Sequence, residues 1–331
     1  MKTKLSLLLI SIFVLTFFSC VTGVPKKEAA RAYYNLGNAY FELEKMDKAM
    51  EAYLRALELD ETLDVANFNL IRTYLEASYV EKGIELVSIL LEEDPDNTVL
   101  LNTLAYGYTI AGEYDKAMEI YNEVLAKNEL NENALYNSGI LFRKMEKPQK
   151  AKEQFEKLYS LTPDDEDLLY NFAMLELEMG NGEEAIRYMD RYIEDNPDDE
   201  EALTILGNAY MEQEYYAKAI VVYDSILTEN PNKPTILFNK AQILLTAIGD
   251  AGEGMQVLEK AITAGFSEKQ KLLDLARDPE LINPEQVEEY LLEKQLIDEE
   301  DLLEEELLGT TPSEINETGD EKSEEENPAN S

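Results

Sequence analysis

Residues 132–165 read ENALYNSGILFRKMEKPQKAKEQFEKLYSLTPDD, and the fold is decided in this stretch. Two runs within it, Glu132–Met145 and Pro148–Ser160, space their apolar residues for one face of an α-helix. The spacing therefore predicts two short amphipathic helices joined by a tight turn. Gly139 and Ala151 are the small residues among bulky neighbours, and the expectation is that two helix backbones approach closely there. Phe142 and Phe155 are suited to filling the gap to the next helix.

The same frame extends in both directions. Small residues stand at Ala49, Gly83, Ala117, Ala151, Ala185 and Ala219, each 34 after the last. Pro95, Pro163, Pro197 and Pro231 are separated by multiples of 34. Gly37, Gly139 and Gly207 form a third series, with Ile71, Ala105 and Ala173 in the gaps. Tyr40, Tyr74, Tyr108, Phe142 and Tyr210 form a fourth, broken by Glu176, and Tyr53, Val87, Tyr121, Phe155, Met189 and Tyr223 a fifth. Five ladders in one register mark a repeat architecture. Proline after Asp94 and after Asn196 stops the second helix of its unit, because its ring clashes with the preceding turn. One such unit cannot bury its apolar face alone, so neighbours must stack.

These residues resemble the tetratricopeptide repeat, whose pattern places bulky, Leu, Gly and Tyr residues and then Ala, an aromatic, Ala and Pro over 34 positions. The resemblance covers 30–267 as seven copies, 30–63, 64–97, 98–131, 132–165, 166–199, 200–233 and 234–267, the last with one extra residue near Gly249. It implies an all-α, right-handed superhelical solenoid of about seven helix pairs. Its inner face would be lined by the first helix of each pair and would take protein or extended peptide segments. C-terminal capping helices are expected over 268–308. Ser267 to Ala276 is one, and a second opens at Asn283-Pro284-Glu285-Gln286, where Asn283 is expected as N-cap and Gln286 as its capping-box partner. Residues 309–331 carry seven acids against Lys322 and are expected to be a disordered acidic tail.

The N-terminus reads as a leader. Lys2 and Lys4 precede an apolar run from Leu5 to Phe18, which is too short to span a bilayer and suits a secretory segment. Ser19-Cys20 then resembles a bacterial lipoprotein processing site, although Phe17 and Phe18 depart from the usual Leu and small residue. On that reading residues 1–19 are a signal peptide, Cys20 is lipidated, and 20–29 tether the solenoid to a membrane of the bacterial cell envelope. Ordinary cleavage after Val21-Thr22-Gly23 and an uncleaved anchor from Leu5 to Val24 are the alternatives.

Composition narrows the function. The 331 residues include 69 Asp or Glu and 29 Lys or Arg, for a net charge of −40. Such a balance argues against nucleic acid, since phosphate binding needs clustered cations. With no His and a single Cys, the chain cannot form a Ser-His-Asp triad, a Cys-His pair or a His/Cys zinc site by itself. The acidic runs Asp164–Asp167, Asp195–Glu201 and Asp298–Asp301 lack the spacing of a calcium loop and read as solvated turns. No cofactor or metal is expected, and no enzyme activity.

The candidate binding residues are two rows along the first helices. The sixth position of the repeat holds Asn35, Asn69, Asn137, Asn171 and Asn239, with Thr103 and Ile205 between. A carboxamide donates and accepts at once, so a row of them suits the backbone of an extended peptide. Similar ladders line the O-GlcNAc transferase and importin superhelices. The fifth position holds Tyr34, Phe68, Tyr136, Tyr170 and Phe238, with Asn102 and Thr204 between. Both rows also suit plain inter-helix packing, and that alternative stays open. A Lys at the fifth position, which the carboxylate clamp of chaperone-binding members requires, is absent from all seven copies. The expected function is a membrane-anchored scaffold or adaptor for other envelope proteins, with a structural spacer or an envelope enzyme as alternatives.

Overall fold

The computed structural model describes residues 25–302. Cys20, the leader and the acidic tail lie outside that range, as do residues 303–308 of the capping segment. The described residues form sixteen α-helices and one π-helical turn, with no strand. Their contacts separate into two compact units, divided between Leu175 and Glu176.

In the first unit the helices alternate as first and second members of pairs: α1 (Lys26–Glu42), α2 (Met46–Leu59), α3 (Asp64–Glu76), α4 (Val80–Glu93), α5 (Thr98–Ile110), α6 (Tyr114–Lys127), α7 (Glu132–Lys144) and α8 (Pro148–Tyr159). From α1 to α8 each packs on the next in sequence, and α9 (Glu166–Glu178) begins the fifth pair. The second unit continues with α10 (Gly182–Asp195), α11 (Glu200–Glu212), α12 (Tyr216–Glu229) and α13 (Pro234–Ile243). After a π turn over Leu244–Ile248 come α14 (Ala251–Thr263), α15 (Lys269–Ala276) and α16 (Pro284–Glu293). None of these helices is long and apolar enough to cross a membrane.

The glycine ladder works differently from the expected backbone approach. A Cβ added at Gly37, Gly139 or Gly207 would lie 2.4, 2.4 or 2.6 Å from ring atoms of Tyr53, Phe155 or Tyr223. The missing side chain makes room for a buried aromatic of the partner helix, not for its backbone. In the second repeat the larger Ile71 sits in one cluster with the smaller Val87. The pair is a volume match across each helical hairpin.

A further ladder closes each hairpin. Glu44, Ser78, Gly112, Glu146, Gly180 and Glu214 recur every 34 residues and are all left-handed, with φ from 56 to 78°. The following N–H then returns to the carbonyl of the aromatic ladder, as Lys45 N–H does to Tyr40 (2.9 Å) and Tyr215 N–H to Tyr210 (2.8 Å). The seventh such residue is Gly249, 35 after Glu214. Its extra residue is absorbed in the π turn, where Asp250 N–H reaches Leu244 O at 2.9 Å. Two residues of the acidic runs also have structural work: Asp165 and Asp199 accept from Leu168 N–H (2.8 Å) and Ala202 N–H (3.1 Å) as N-caps.

At the C-terminal end α15 and α16 close the second unit. Leu272, Leu275, Val287 and Leu291 are fully buried and share a cluster with Leu245 and Leu258 of the last pair. Ile282 N–H donates to Leu245 O at 3.0 Å, tying the segment to the π turn. Asn283 corrects the expected capping box. It is left-handed (φ 56°, ψ 55°), and its side chain makes no cap bond. A helix that begins with proline has one donor fewer to satisfy, and Gln286 N–H is taken by the Asn283 carbonyl instead.

Candidate peptide-binding face

Consecutive first helices of the first unit meet directly, α1 with α3 and α5 with α7, whereas second helices approach each other less. The first helices therefore lie on the inside of that unit's curve. Positions 2, 6, 9 and 13 of a first helix are spaced by four, three and four residues, so they share the face that looks inward.

The asparagines of the first unit lie on this face, and in three copies of the row, one of them in the second unit, the amides are already engaged. Asn69 donates to Asn38 Oδ1 of the preceding repeat at 2.8 Å and to Tyr34 Oη at 3.4 Å, while Tyr53 Oη donates to the same Asn38 oxygen at 2.7 Å. The arrangement recurs in the second unit: Asn239 donates to Asn208 Oδ1 (2.9 Å), which also accepts from Tyr223 Oη (2.8 Å). Asn171 donates to Tyr136 Oη and to Asp167 O, both at 2.9 Å, and accepts from Arg143 at 3.1 Å. These amides join each repeat to the one before it. Asn35, exposed, and Asn137, half-buried, are shown with no side-chain hydrogen bond among the described residues.

The aromatic row is largely packing. The Tyr34 ring lies 6.1 Å from Tyr53 and that of Tyr136 6.2 Å from Phe155. Phe68 packs against the cluster of Ile71, Leu75, Val87 and Leu100, and Tyr170 is half-buried. Burial pushes the Tyr136 hydroxyl up to about 12, with Asp167, Asp165 and Tyr106 adding to the effect and Arg143 opposing it. The seventh repeat corrects the expectation outright. Phe238 is stacked on Phe266 at 4.1 Å, and Phe238 and Asn239 are 1% and 7% exposed, so neither presents an edge to a ligand. Phe266, near the end of the seventh repeat itself, folds back after α14 and closes this position.

A different set of side chains is open on the inner face. Val65, Val99, Tyr106 and Ile110 are 48%, 53%, 40% and 40% exposed, and all stand at positions 2, 9 or 13 of α3 and α5. Ile140 is half-buried at position 9 of α7. On α3 the same face carries charge at positions 9 and 13: the Arg72 guanidinium lies 4.1 Å over the Phe41 ring and pairs with Glu76 at 3.6 Å. Reading the ladders for polarity would have found these residues. Position 13 holds Glu42, Glu76, Lys144, Glu178, Glu212 and Thr246 in the other copies, and position 2 holds Arg31, Asn133, Asp167, Glu201 and Thr235. An apolar side chain where the register is otherwise polar marks a surface with something to cover it.

Comparison with known proteins agrees with this architecture. Family models described as tetratricopeptide repeat match residues 30–63 and 142–209. The chain carries tetratricopeptide repeats. A model described as anaphase-promoting complex, cyclosome, subunit 3 matches 178–261. Among solved structures, Pseudomonas aeruginosa pilF is 21% identical with a TM-score of 0.51, over 63% of this chain and 95% of that one. A thermophilic TPR protein of Thermus thermophilus is 20% identical with a TM-score of 0.49, over 55% of this chain and 100% of that one. A tetratricopeptide repeat protein of Parabacteroides merdae is 20% identical with a TM-score of 0.46, over 75% and 98%. No curated protein matches the sequence. At 21% identity and a TM-score of 0.51, the likeness to pilF is one of fold.

Proposed function

We propose that the protein is a non-catalytic scaffold that holds another envelope protein on the inner face of its first to fourth repeats. The observation that carries this is the exposed set Val65, Val99, Tyr106 and Ile110 on adjacent first helices. The ligand is an extended protein segment with apolar side chains, and the free amides of Asn35 and Asn137 are placed to bond its backbone. Because contact is mainly apolar, binding should depend weakly on salt. Cys20 is the proposed lipid attachment that keeps the scaffold at the membrane.

Two experiments separate the parts. A photo-crosslinking residue at Tyr106 should capture a partner in intact cells, and one at Val221, exposed on the second helix of the sixth repeat, should not. Val99→Asp with Ile110→Asp should weaken the captured pair by about ten-fold or more without moving the melting curve. Equal capture at both positions, or unchanged affinity, would refute the inner-face reading. Cys20→Ser should abolish incorporation of labelled fatty acid, and equal labelling would remove the anchor while leaving the scaffold.

A further inference from the structure

The first repeat has an open edge. Tyr33 and Leu36 occupy positions 4 and 7, whose counterparts Leu135, Leu169 and Leu206 are buried, yet they are 37% and 41% exposed. No earlier repeat covers them among the described residues. Beside them lies a cavity of 840 Å³, into which the outer stripe of α2 also opens. That stripe reads Lys48, Glu51, Leu54, Arg55 and Glu58, all exposed, with Leu54 the apolar member. At its counterparts stand Ser88, Asn122, Glu156, Asp190 and Asp224.

We infer that this edge is the contact between two copies of the chain, related by a two-fold axis that passes α2 near Tyr53. The argument is charge complementarity. Antiparallel pairing of two α2 helices about that point sets Lys48 opposite Glu58 of the second copy and Glu51 opposite its Arg55, and symmetry repeats both pairs. Leu54, 45% exposed, lies next to the axis, where it meets Leu54 of the other copy. The charged lining of the cavity is Asp47, Glu51 and Glu58 against Lys48, Arg55 and Lys82, a balance of zero. In a chain of net charge −40 that neutrality matters. Charges beyond about 8 Å are screened at physiological salt, so two such copies can meet only where the local balance permits it. A strongly basic or strongly acidic partner would find half of this lining repulsive. Arg55 already pairs with Glu58 on its own helix, and across the axis the same two groups extend into a network.

Sedimentation equilibrium of the full chain, in detergent matched to solvent density, tests the inference. The parent should associate reversibly to a dimer. Glu51→Arg places Arg against Arg twice per dimer and should weaken association by about ten-fold. Adding Arg55→Glu restores opposite charges at both contacts and should return the constant to within about three-fold of the parent. Leu54→Glu should leave monomer, and Val221→Glu on the second helix of the sixth repeat should have no effect. All these positions are exposed, so melting curves should coincide. A parent that stays monomeric at every concentration would overturn the inference and leave the edge to another protein. So would a double reversal as weak as the single one, or a Val221 variant as weak as the Leu54 variant.

Discussion

The first and the seventh repeat are built on the same 34-residue frame and finish in opposite ways. Leu36 of the first is exposed to solvent, whereas the outer side of the seventh is sealed by Leu272, Val287 and Leu291 from the capping helices. A stack of identical units always leaves two unsatisfied faces. Among the described residues one face is covered by later helices and the other is left open, so a shared register does not imply shared surroundings.

The comparison is broken most forcefully at the cap. Leu291→Ala and Val287→Ala remove fully buried side chains and should each cost about 1–4 kcal/mol, read as a lowered thermal midpoint. Leu36→Ala at the open edge should stay within about 0.5 kcal/mol of the parent. If both ends respond alike, the first repeat is covered after all.

The glycines sharpen the same contrast by escaping it. Gly37→Val and Gly207→Val each press on an aromatic of their own hairpin, so both should cost about 1–3 kcal/mol whichever end they lie near. A much smaller effect at Gly37 would mean that the open end is loosely packed inside the repeat as well as outside it.

The asparagines should divide by position. Asn239→Ala removes a buried amide that donates to Asn208 Oδ1, which keeps its bond from Tyr223, and should cost about 1 kcal/mol. Asn35→Ala, exposed and without such a bond, should change the melting curve little while remaining a probe of ligand affinity.

The smallest effect is expected from alkaline titration. Burial pushes the Tyr223 hydroxyl up to about 12, above its ordinary value near 10. The folded state therefore holds this proton more tightly than the unfolded chain does. Its contribution is fully present below about pH 10 and is lost as pH rises toward about 12. Tyr223→Phe should flatten that part of the stability profile. Tyr53, at the same position of the first repeat, is also raised by burial and should behave likewise on Tyr53→Phe.

Much of the fold was legible because repetition multiplies a weak signal. The aromatic, proline and small-residue ladders located every helix pair, and the extra residue near Gly249 was visible as a break in the count. The turn ladder was harder to see, because Glu44, Glu146 and Glu214 occupy a left-handed position that a local reading reserves for glycine. The candidate site was legible in part. The asparagine row was found, but a carboxamide that could bond a peptide backbone equally well bonds Asn38, Asn208 or Tyr136.

The sequence by itself determined the all-helical repeat, its period and its number of copies, because helix amphipathicity and steric matching are local properties that recur with the chain. Only the tertiary structure decided which polar groups are satisfied internally and which apolar side chains are left bare. Those outcomes depend on residues distant in the sequence, in the same repeat or the one before, and on whether a repeat exists there at all. Asn69 is a staple because Asn38 precedes it, Phe238 is core because Phe266 reaches it, and Leu36 is surface because no earlier repeat among the described residues covers it.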